Sequence, residues 1–320
     1  MQRGWTAIPE CGRLLHADSG WIPHEYSRSE GLRPPTNAAI GPPPFTRVSR
    51  TDPPINSPTP AISACIITLN EAGRLADCLA SLAFCDEVVV VDSGSTDGTV
   101  ALALAHGARV LQRPFDGFRS QKQFAVEQAG NDWVLCLDAD ERISPELRAA
   151  IVSARDGGFA DAAGYRFARL SDYFGRFLRH GNAYPDRVLR LFDRRRGGWR
   201  GKREIHEAAS VDGTVRTLQG DVVHYPYRSL EQQLAKTQRY ARMMAEHDLA
   251  RGKRASLAKL VLAPAWRFWR GYVLRAGFLD GWHGLVYAYV RANYVRQKTV
   301  MLWLLQNGQA VADPPPADRS

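Results

Sequence analysis

The sequence predicts a three-layer α/β domain with a mostly parallel sheet, followed by a basic, aromatic-rich helical region. Three observations carry this prediction. Val88-Val89-Val90-Val91 is an unbroken apolar run ending in Asp92, which suits a parallel strand covered on both faces. Trp133-Val134-Leu135-Cys136-Leu137 repeats the pattern and ends in Asp138-Ala139-Asp140-Glu141. Around these two runs, strand-like and helix-like stretches alternate through short links. Ligands of an open α/β sheet sit at the carboxyl ends of its strands. Two strands that both end in carboxylates therefore predict a site for a divalent metal and the phosphates it carries.

Each element follows from local pattern. Residues 1–60 are rich in proline and polar residues without a helical or strand period, and are expected to be a disordered extension. Ile62 to Leu69 reads as the first strand, with Asn70-Glu71 opening a helix to about Leu82. Glu87 to Val91 is the second strand. Ser95 or Asp97 is a candidate cap for the helix Thr99 to His106. Ala108 to Leu111 is a short third strand, Phe118 to Ala129 a helix, and Asp132 to Leu137 the fourth strand. Pro145 opens a further helix, its fixed φ suiting the first turn. Weaker strand signals follow at Gly164–Leu170, Val188–Phe192 and Asp221–His224.

The character then changes. Ser229-x-x-Gln232 is a capping box, and Leu230, Leu234, Ala241 and Met244 mark an apolar helical face running to about Leu249. Beyond Ser256, Trp266, Phe268, Trp269, Tyr272, Phe278 and Trp282 interleave with Arg270 and Arg275, and Tyr287 to Leu304 is a last helix. The expected organisation is a catalytic α/β domain over 61–227, a helical region over 228–307 and a disordered tail over 308–320.

The 320 residues carry a net charge of +9. Arg228 to Asn307 holds fourteen Lys/Arg against four Asp/Glu, so this segment alone accounts for the excess. Such a patch serves nucleic acid, anionic lipid or a phosphorylated substrate. The five cysteines are odd in number and lack CxxC spacing, which predicts neither a disulfide framework nor a zinc site. No stretch reaches the ~18 apolar residues of a membrane span, and the start lacks the design of a secretory signal. The expected location is the cytoplasm, peripheral on the inner face of the membrane.

Six motifs carry a resemblance. Ile66-Ile67-Thr68-Leu69-Asn70-Glu71, Val91-Asp92-Ser93-Gly94-Ser95-Thr96-Asp97-Gly98-Thr99 and Leu137-Asp138-Ala139-Asp140-Glu141 resemble, in order and spacing, family 2 glycosyltransferases with the GT-A fold. Tyr184-Pro185-Asp186, Arg190-Leu191-Phe192 and Ile205-His206-Glu207 continue the match. The chain looks most like the branch of lipopolysaccharide core β-glycosyltransferases. An Asp-x-Asp alone is a weak motif; several in order are a strong one.

The resemblance implies a GT-A nucleotide-diphospho-sugar transferase fold with a C-terminal amphipathic helical subdomain. It implies inverting transfer from a UDP-sugar, with glucose the expected sugar, to a lipid-linked saccharide at the inner core of lipopolysaccharide. Mg²⁺ or Mn²⁺ held by one or two carboxylates would stabilise the leaving diphosphate. By the same resemblance Asp140 takes the metal, Asp138 the ribose or a water-mediated metal contact, and Asp92 the uracil N–H. Thr68 and Glu71 line the base and ribose pocket, and Lys122 is a candidate phosphate contact. Against these stand plainer roles: Asp140 as a cap ahead of Pro145 and Lys122 as a solvated helix residue. His224 is a candidate metal ligand or a core histidine.

Inverting transfer needs a base on the face opposite the leaving group, which the match places at Glu207, with Glu204 the rival. His206 orients Glu207 or touches the acceptor. Arg190 joins Arg187, Arg194, Arg195, Arg196, Arg200, Lys202 and Arg203 in a cluster that fits an anionic acceptor. The 257–305 segment fits amphipathic helices on a membrane surface or plain packing onto the catalytic domain. A polyprenyl-phosphate glycosyltransferase shares the nucleotide half, so the acceptor half must decide, and the His-Glu motif and arginine cluster lean towards a saccharide acceptor. A nucleic-acid-binding protein would leave the carboxylate edge unexplained, because that edge repels phosphate without a metal, so no nucleic-acid partner is expected.

Overall fold

Strand β1 (Ile62–Thr68) lies between two parallel neighbours, β2 (Glu87–Asp92) and β4 (Trp133–Asp138), with β3 (Arg109–Gln112) outside β2. The structure, a computed structural model, describes residues 59–160, 162–199 and 208–309, all within one compact unit. The expected extension over 1–58 and the tail over 310–320 lie outside the described residues. The valine run behaves as its composition requires: Val89, Val90 and Val91 are fully buried, covered from both sides.

Helices α1 (Ala72–Ser81), α2 (Thr99–Ala105) and α3 (Phe118–Glu127) connect these strands. Leu75, Cys78 and Leu82 pack with Ile62, Ile66, Leu135 and Leu137 on one face of the sheet. On the other face Ala125, Val126 and Phe192 pack with Cys65, Val91, Val134 and Cys136. The cysteines at 65, 78, 85 and 136 are free thiols.

Beyond β4 come β5 (Glu141–Ile143), α4 (Pro145–Asp156), β6 (Gly164–Ser171), β7 (Asp186–Asp193), β8 (Gly197–Gly198), β9 (Ser210–Val211) and β10 (Val215–His224). The main sheet runs β3-β2-β1-β4-β7-β6-β10-β5; β7 and β5 are antiparallel to their neighbours. Four inter-strand steps thus separate β4 from β5, ~19 Å in a flat sheet. Yet only Ala139 and Asp140 join them, and three residue steps reach ~11 Å at most. The sheet must curl, and the curl brings Glu141 opposite His224 in register. Periodicity gave no sign of β5, a three-residue strand fixed by its partner.

The cap of α4 is Ser144, whose Oγ accepts the Leu147 N–H at 3.2 Å, so Asp140 is not a cap. Asp97 ties two helices together, accepting N–H from Thr99 of α2 and from Ala72 of α1. Helix α5 (Leu230–Ala250) is capped by Ser229 as expected, but Gln232 returns its side chain to the Arg228 N–H. Its buried face runs through Gln233, Ala241, Ala245 and Asp248, whereas Leu230 and Leu234 are exposed. Helices α6 (Leu257–Trp269) and α7 (Gly281–Gln306) are joined by a π turn (Arg270–Leu274) and a 3₁₀ turn (Gly277–Asp280). Both α5 and α6 pack on α7.

Strand β10 is bulged between Thr217 and Asp221, and Gly220 sits there at φ +91°. A Cβ at Gly220 would collide with the Leu147 backbone at the start of α4. Gly220→Ala should therefore cost ~2–4 kcal/mol, combining left-handed strain with overpacking. Chemical denaturation checks this, with Gly213→Ala, away from α4, as the comparison.

Candidate active site

Strand β4 delivers Asp138 to the carboxyl edge of the sheet, and the turn to β5 is closed by Glu141. Its Oε2 accepts the Asp138 N–H at 3.0 Å, and its Oε1 lies 3.4 Å from both Arg190 Nη2 and Arg169 Nη1. Glu141 is fully buried, and these two guanidinium groups face it. Arg190 Nη2 also donates to Asp138 Oδ2 at 3.0 Å, and Lys122 Nζ sits 2.9 Å from Asp138 Oδ1. Burial works against the Asp138 charge, but Lys122 and Arg190 overcome it and hold the carboxyl far below the usual carboxylate range. The Trp199 ring backs both cations, 4.9 Å from Lys122 Nζ and 5.2 Å from the Arg190 guanidinium.

Asp140 stands outside this knot. Its backbone oxygen accepts the Tyr225 N–H at 2.9 Å, which pins the turn against the end of β10. Its Oδ2 lies 3.6 Å from His224 Nε2 and 3.8 Å from Arg74 Nη1 on α1. The other ring nitrogen of His224 is hydrogen-bonded to Ser171 Oγ at 3.1 Å. With Nδ1 donating to that hydroxyl, Nε2 presents its lone pair towards Asp140, the orientation a metal-ligating histidine requires.

Among the described residues no three His, Cys, Asp or Glu side chains converge as a preformed cage. One carboxylate and one imidazole fit a divalent ion that takes its remaining ligands from water and substrate phosphates, the usual arrangement for Mg²⁺. Asp140 and His224 are the residues that would hold it. His224 is mostly buried at the strand edge, with Ser171 on one ring nitrogen and Asp140 facing the other.

The neighbouring strands build a second compartment. Thr68, in register with Asp92, is buried with an Oγ1 that has no partner, an orphan that a bound ligand can satisfy. Asp92 differs from expectation. It is fully buried, its Oδ2 accepts N–H from Gly94 and Ser95, and its Oδ1 accepts the Ser95 hydroxyl. Both oxygens bind the turn, so in this structure Asp92 shapes the loop that follows β2. Glu71 is half-buried and binds Arg228 Nη2 at 2.7 Å, which links the nucleotide side to the start of α5.

The chain matches the glycosyl transferase family 2 model over residues 63–210. A lipopolysaccharide core biosynthesis glycosyltransferase, LpsC of Rhizobium meliloti, is 33% identical over 253 residues, 74% of this chain and 92% of that protein. The chain belongs to glycosyltransferase family 2. An uncharacterized glycosyltransferase of Rickettsia typhi is 33% identical over 235 residues, covering 70% of this chain and 80% of its own. Among solved structures, TarS residues 1–349 of S. aureus aligns with 78% of this chain and 92% of its own at 16% identity and a TM-score of 0.40. The curled, mostly parallel sheet with its C-terminal helices is the GT-A fold that the motifs implied.

Within this glycosyltransferase the acceptor residues need revision. Arg190 is buried among Asp138, Glu141 and Trp199, where its Nη2 neutralises the carboxylate edge and its Nη1 has no partner. Arg194 bonds the Val126 and Glu127 carbonyls, and Arg195 pairs with Asp193 and Asp132. Asp193 is in register with Trp133, the first residue of β4, so these arginines mark the end of the sheet away from Asp138. His206 and Glu207, with Glu204, Arg200, Lys202 and Arg203, lie outside the described residues.

Sequence reasoning missed Glu141, Arg74, Arg169 and Ser171. Glu141 stood in the quoted Asp-Ala-Asp-Glu run, the one signal available. The others enter from α1 and β6 through the curl alone.

Removing Arg190 strands two acidic neighbours in the interior. Arg190→Ala should cost ~3–5 kcal/mol, a fall in Tm on the order of 10 °C. Lys122→Met offers a subtler readout. A depressed folded-state pKa gives stability that is complete above the unfolded value, ~4, and lost as pH falls below it. The variant relaxes that depression, so its stability should fall less steeply with acid below pH ~4, measured by urea denaturation across pH.

Proposed function

We propose that the protein is an inverting glycosyltransferase that transfers glucose from UDP-glucose to the inner core of a lipid-linked lipopolysaccharide saccharide. The reaction takes place at the cytoplasmic face of the inner membrane. The observation that carries this reading is the pairing of Asp140 Oδ2 with His224 Nε2, 3.6 Å apart, beside an Asp138 already neutralised by Lys122 and Arg190. An anionic edge would repel a diphosphate; this edge carries cations enough to accept one. The lipopolysaccharide core relative, aligned over 92% of its length, supports the choice of acceptor.

The residues then divide the work. Thr68 Oγ1 and the turn held by Asp92 receive the nucleoside. Glu71, fixed by Arg228, borders the ribose side, and Asp138 offers the ribose its remaining lone pairs. Lys122, at the Asp138 edge, supplies positive charge to the diphosphate. Asp140 and His224 hold Mg²⁺ or Mn²⁺, which when bound supplies counter-charge to the departing diphosphate. Glu207 takes the proton from the acceptor hydroxyl as that oxygen attacks the anomeric carbon, and His206 orients it. Trp199, the described residue that leads into this segment, already lies against Lys122 and Arg190.

The reading is tested by incubating the protein with UDP-glucose and truncated lipopolysaccharide, following UDP release and reading the anomeric configuration of the product by NMR. A β-linked product is expected, and an α-linked product overturns inversion. Glu207→Gln should lose ~10²–10⁴-fold in turnover while UDP affinity survives; Glu204→Gln should keep most activity, and the reverse pattern moves the base.

The metal assignment has its own check. Asp140→Ala and His224→Ala should both weaken Mn²⁺-dependent UDP binding, followed by calorimetry with and without EDTA. Unchanged activity in excess EDTA would sink the metal role.

A further inference from the structure

Helix α6 buries none of its side chains. The helix packs on α7, and Leu260, Pro264 and Phe268 are partly covered. Leu257, Val261, Leu262, Trp266 and Trp269 remain 57–72% exposed. The surface continues round the bend, where Leu274, Phe278, Leu279 and Trp282 are 49–63% exposed. A contiguous apolar surface of this size on a folded chain marks an interaction site.

Its charges name the occupant. From Leu249 to Asn307 the sequence holds a single acidic residue, Asp280, and that residue is buried. Lys253, Arg254, Lys259, Arg270 and Arg275 are all exposed around the apolar residues. Two copies meeting through this surface would press like charges together. An anionic bilayer meets both features: tryptophans settle at headgroup depth, and lysines and arginines reach lipid phosphates. No described helix is long and apolar enough to cross a membrane, so the geometry is that of a helix lying in the interface.

The bend is also braced against the catalytic body. Asp280 Oδ2 accepts the backbone N–H groups of Arg179 and His180, and its Oδ1 bonds His180 Nδ1 at 2.9 Å. The Gly181 N–H donates to the Arg275 carbonyl, and Gly277 and Gly284 let the backbones approach where a Cβ would collide with the Gly271 and Gly277 carbonyls. Residues 179–181 belong to the loop leaving β6 after Ser171, the residue whose hydroxyl holds His224. The apolar bend and the carboxylate site thus share one end of the sheet.

We propose that α6 and the α6–α7 bend form a bilayer-docking surface that seats in the headgroup layer of an anionic membrane and presents the donor site to it. Its purpose rests on the lipid-linked acceptor proposed above, whereas its test needs no catalysis.

The test is flotation of the full chain with phosphatidylcholine vesicles, with and without one quarter phosphatidylglycerol. Wild type should float with the anionic vesicles, less with neutral ones, and less again at high salt. Trp266→Glu/Trp282→Glu should reduce flotation ~10-fold or more, with Tm and UDP binding unchanged. Lys259→Glu/Arg270→Glu should reduce it on anionic vesicles alone. Asp140→Ala should float like wild type, which separates docking from the catalytic reading. Wild type that stays with the soluble fraction, or a tryptophan variant that floats equally well, overturns the proposal. So does a concentration-dependent dimer in sedimentation that the tryptophan variant abolishes without altering flotation.

Discussion

The structure depends on a buried charge knot at the crossing from β4 to β5. Asp138 and Glu141 are brought there by a link only two residues long, Glu141 fully buried and Asp138 partly so. Carboxylates removed from water need cations held at hydrogen-bonding distance. Arg190 from β7, Arg169 from β6 and Lys122 from α3 supply them. The three elements converge because the sheet curls, and the curl is sustained because their charges are satisfied at its centre. Arg169 is itself shared with Asp186 at the head of β7, so the network extends across the strands that close the sheet.

This knot separates structural from ligand-facing groups. Asp138 and Glu141 differ from Asp140 by a residue or two, yet only Asp140 faces away from the cations of β6 and β7 towards an imidazole. A similar division holds at β2. Asp92 folds the following turn around its own carboxylate, and the group left without a partner is the Thr68 hydroxyl beside it. The fully buried carboxylates of Glu141 and Asp92 build the frame, and at the same edge the Thr68 hydroxyl has no partner.

The helical region extends the frame. Arg228 ties the entrance of α5 to Glu71 and the Asn70 carbonyl, and Asp280 ties the α6–α7 bend to the loop after β6. Tyr173 in that loop packs on Tyr287 of α7 and bonds Gln233 of α5. The carboxylate edge, the loop and the helices are therefore joined by direct contacts.

Much of the architecture was legible in the chain. The valine run, the Trp133–Leu137 run and the Pro145 and Ser229 helix starts depend on local propensity and burial, and each element appears within a few residues of its expected position. The carboxylate edge was legible as well, since strand ends are set by the same local pattern. What local pattern could not reveal is which side of that edge each residue serves. Arg190 alternates with apolar neighbours in a strand and reads like any surface arginine, but β4 and β6 bury it on the donor side. Asp92 carries the residue type of a ligand contact, while its carboxylate also holds the turn after it. Strand β5, the His224–Asp140 pairing and the entry of Arg74 and Arg169 arise from long-range closure of the sheet. Sequence alone determined the strands, helices and acidic ends, because these follow from neighbours along the chain. Tertiary structure decided which charges are neutralised and which remain for a ligand, because that depends on curvature between strands far apart in sequence.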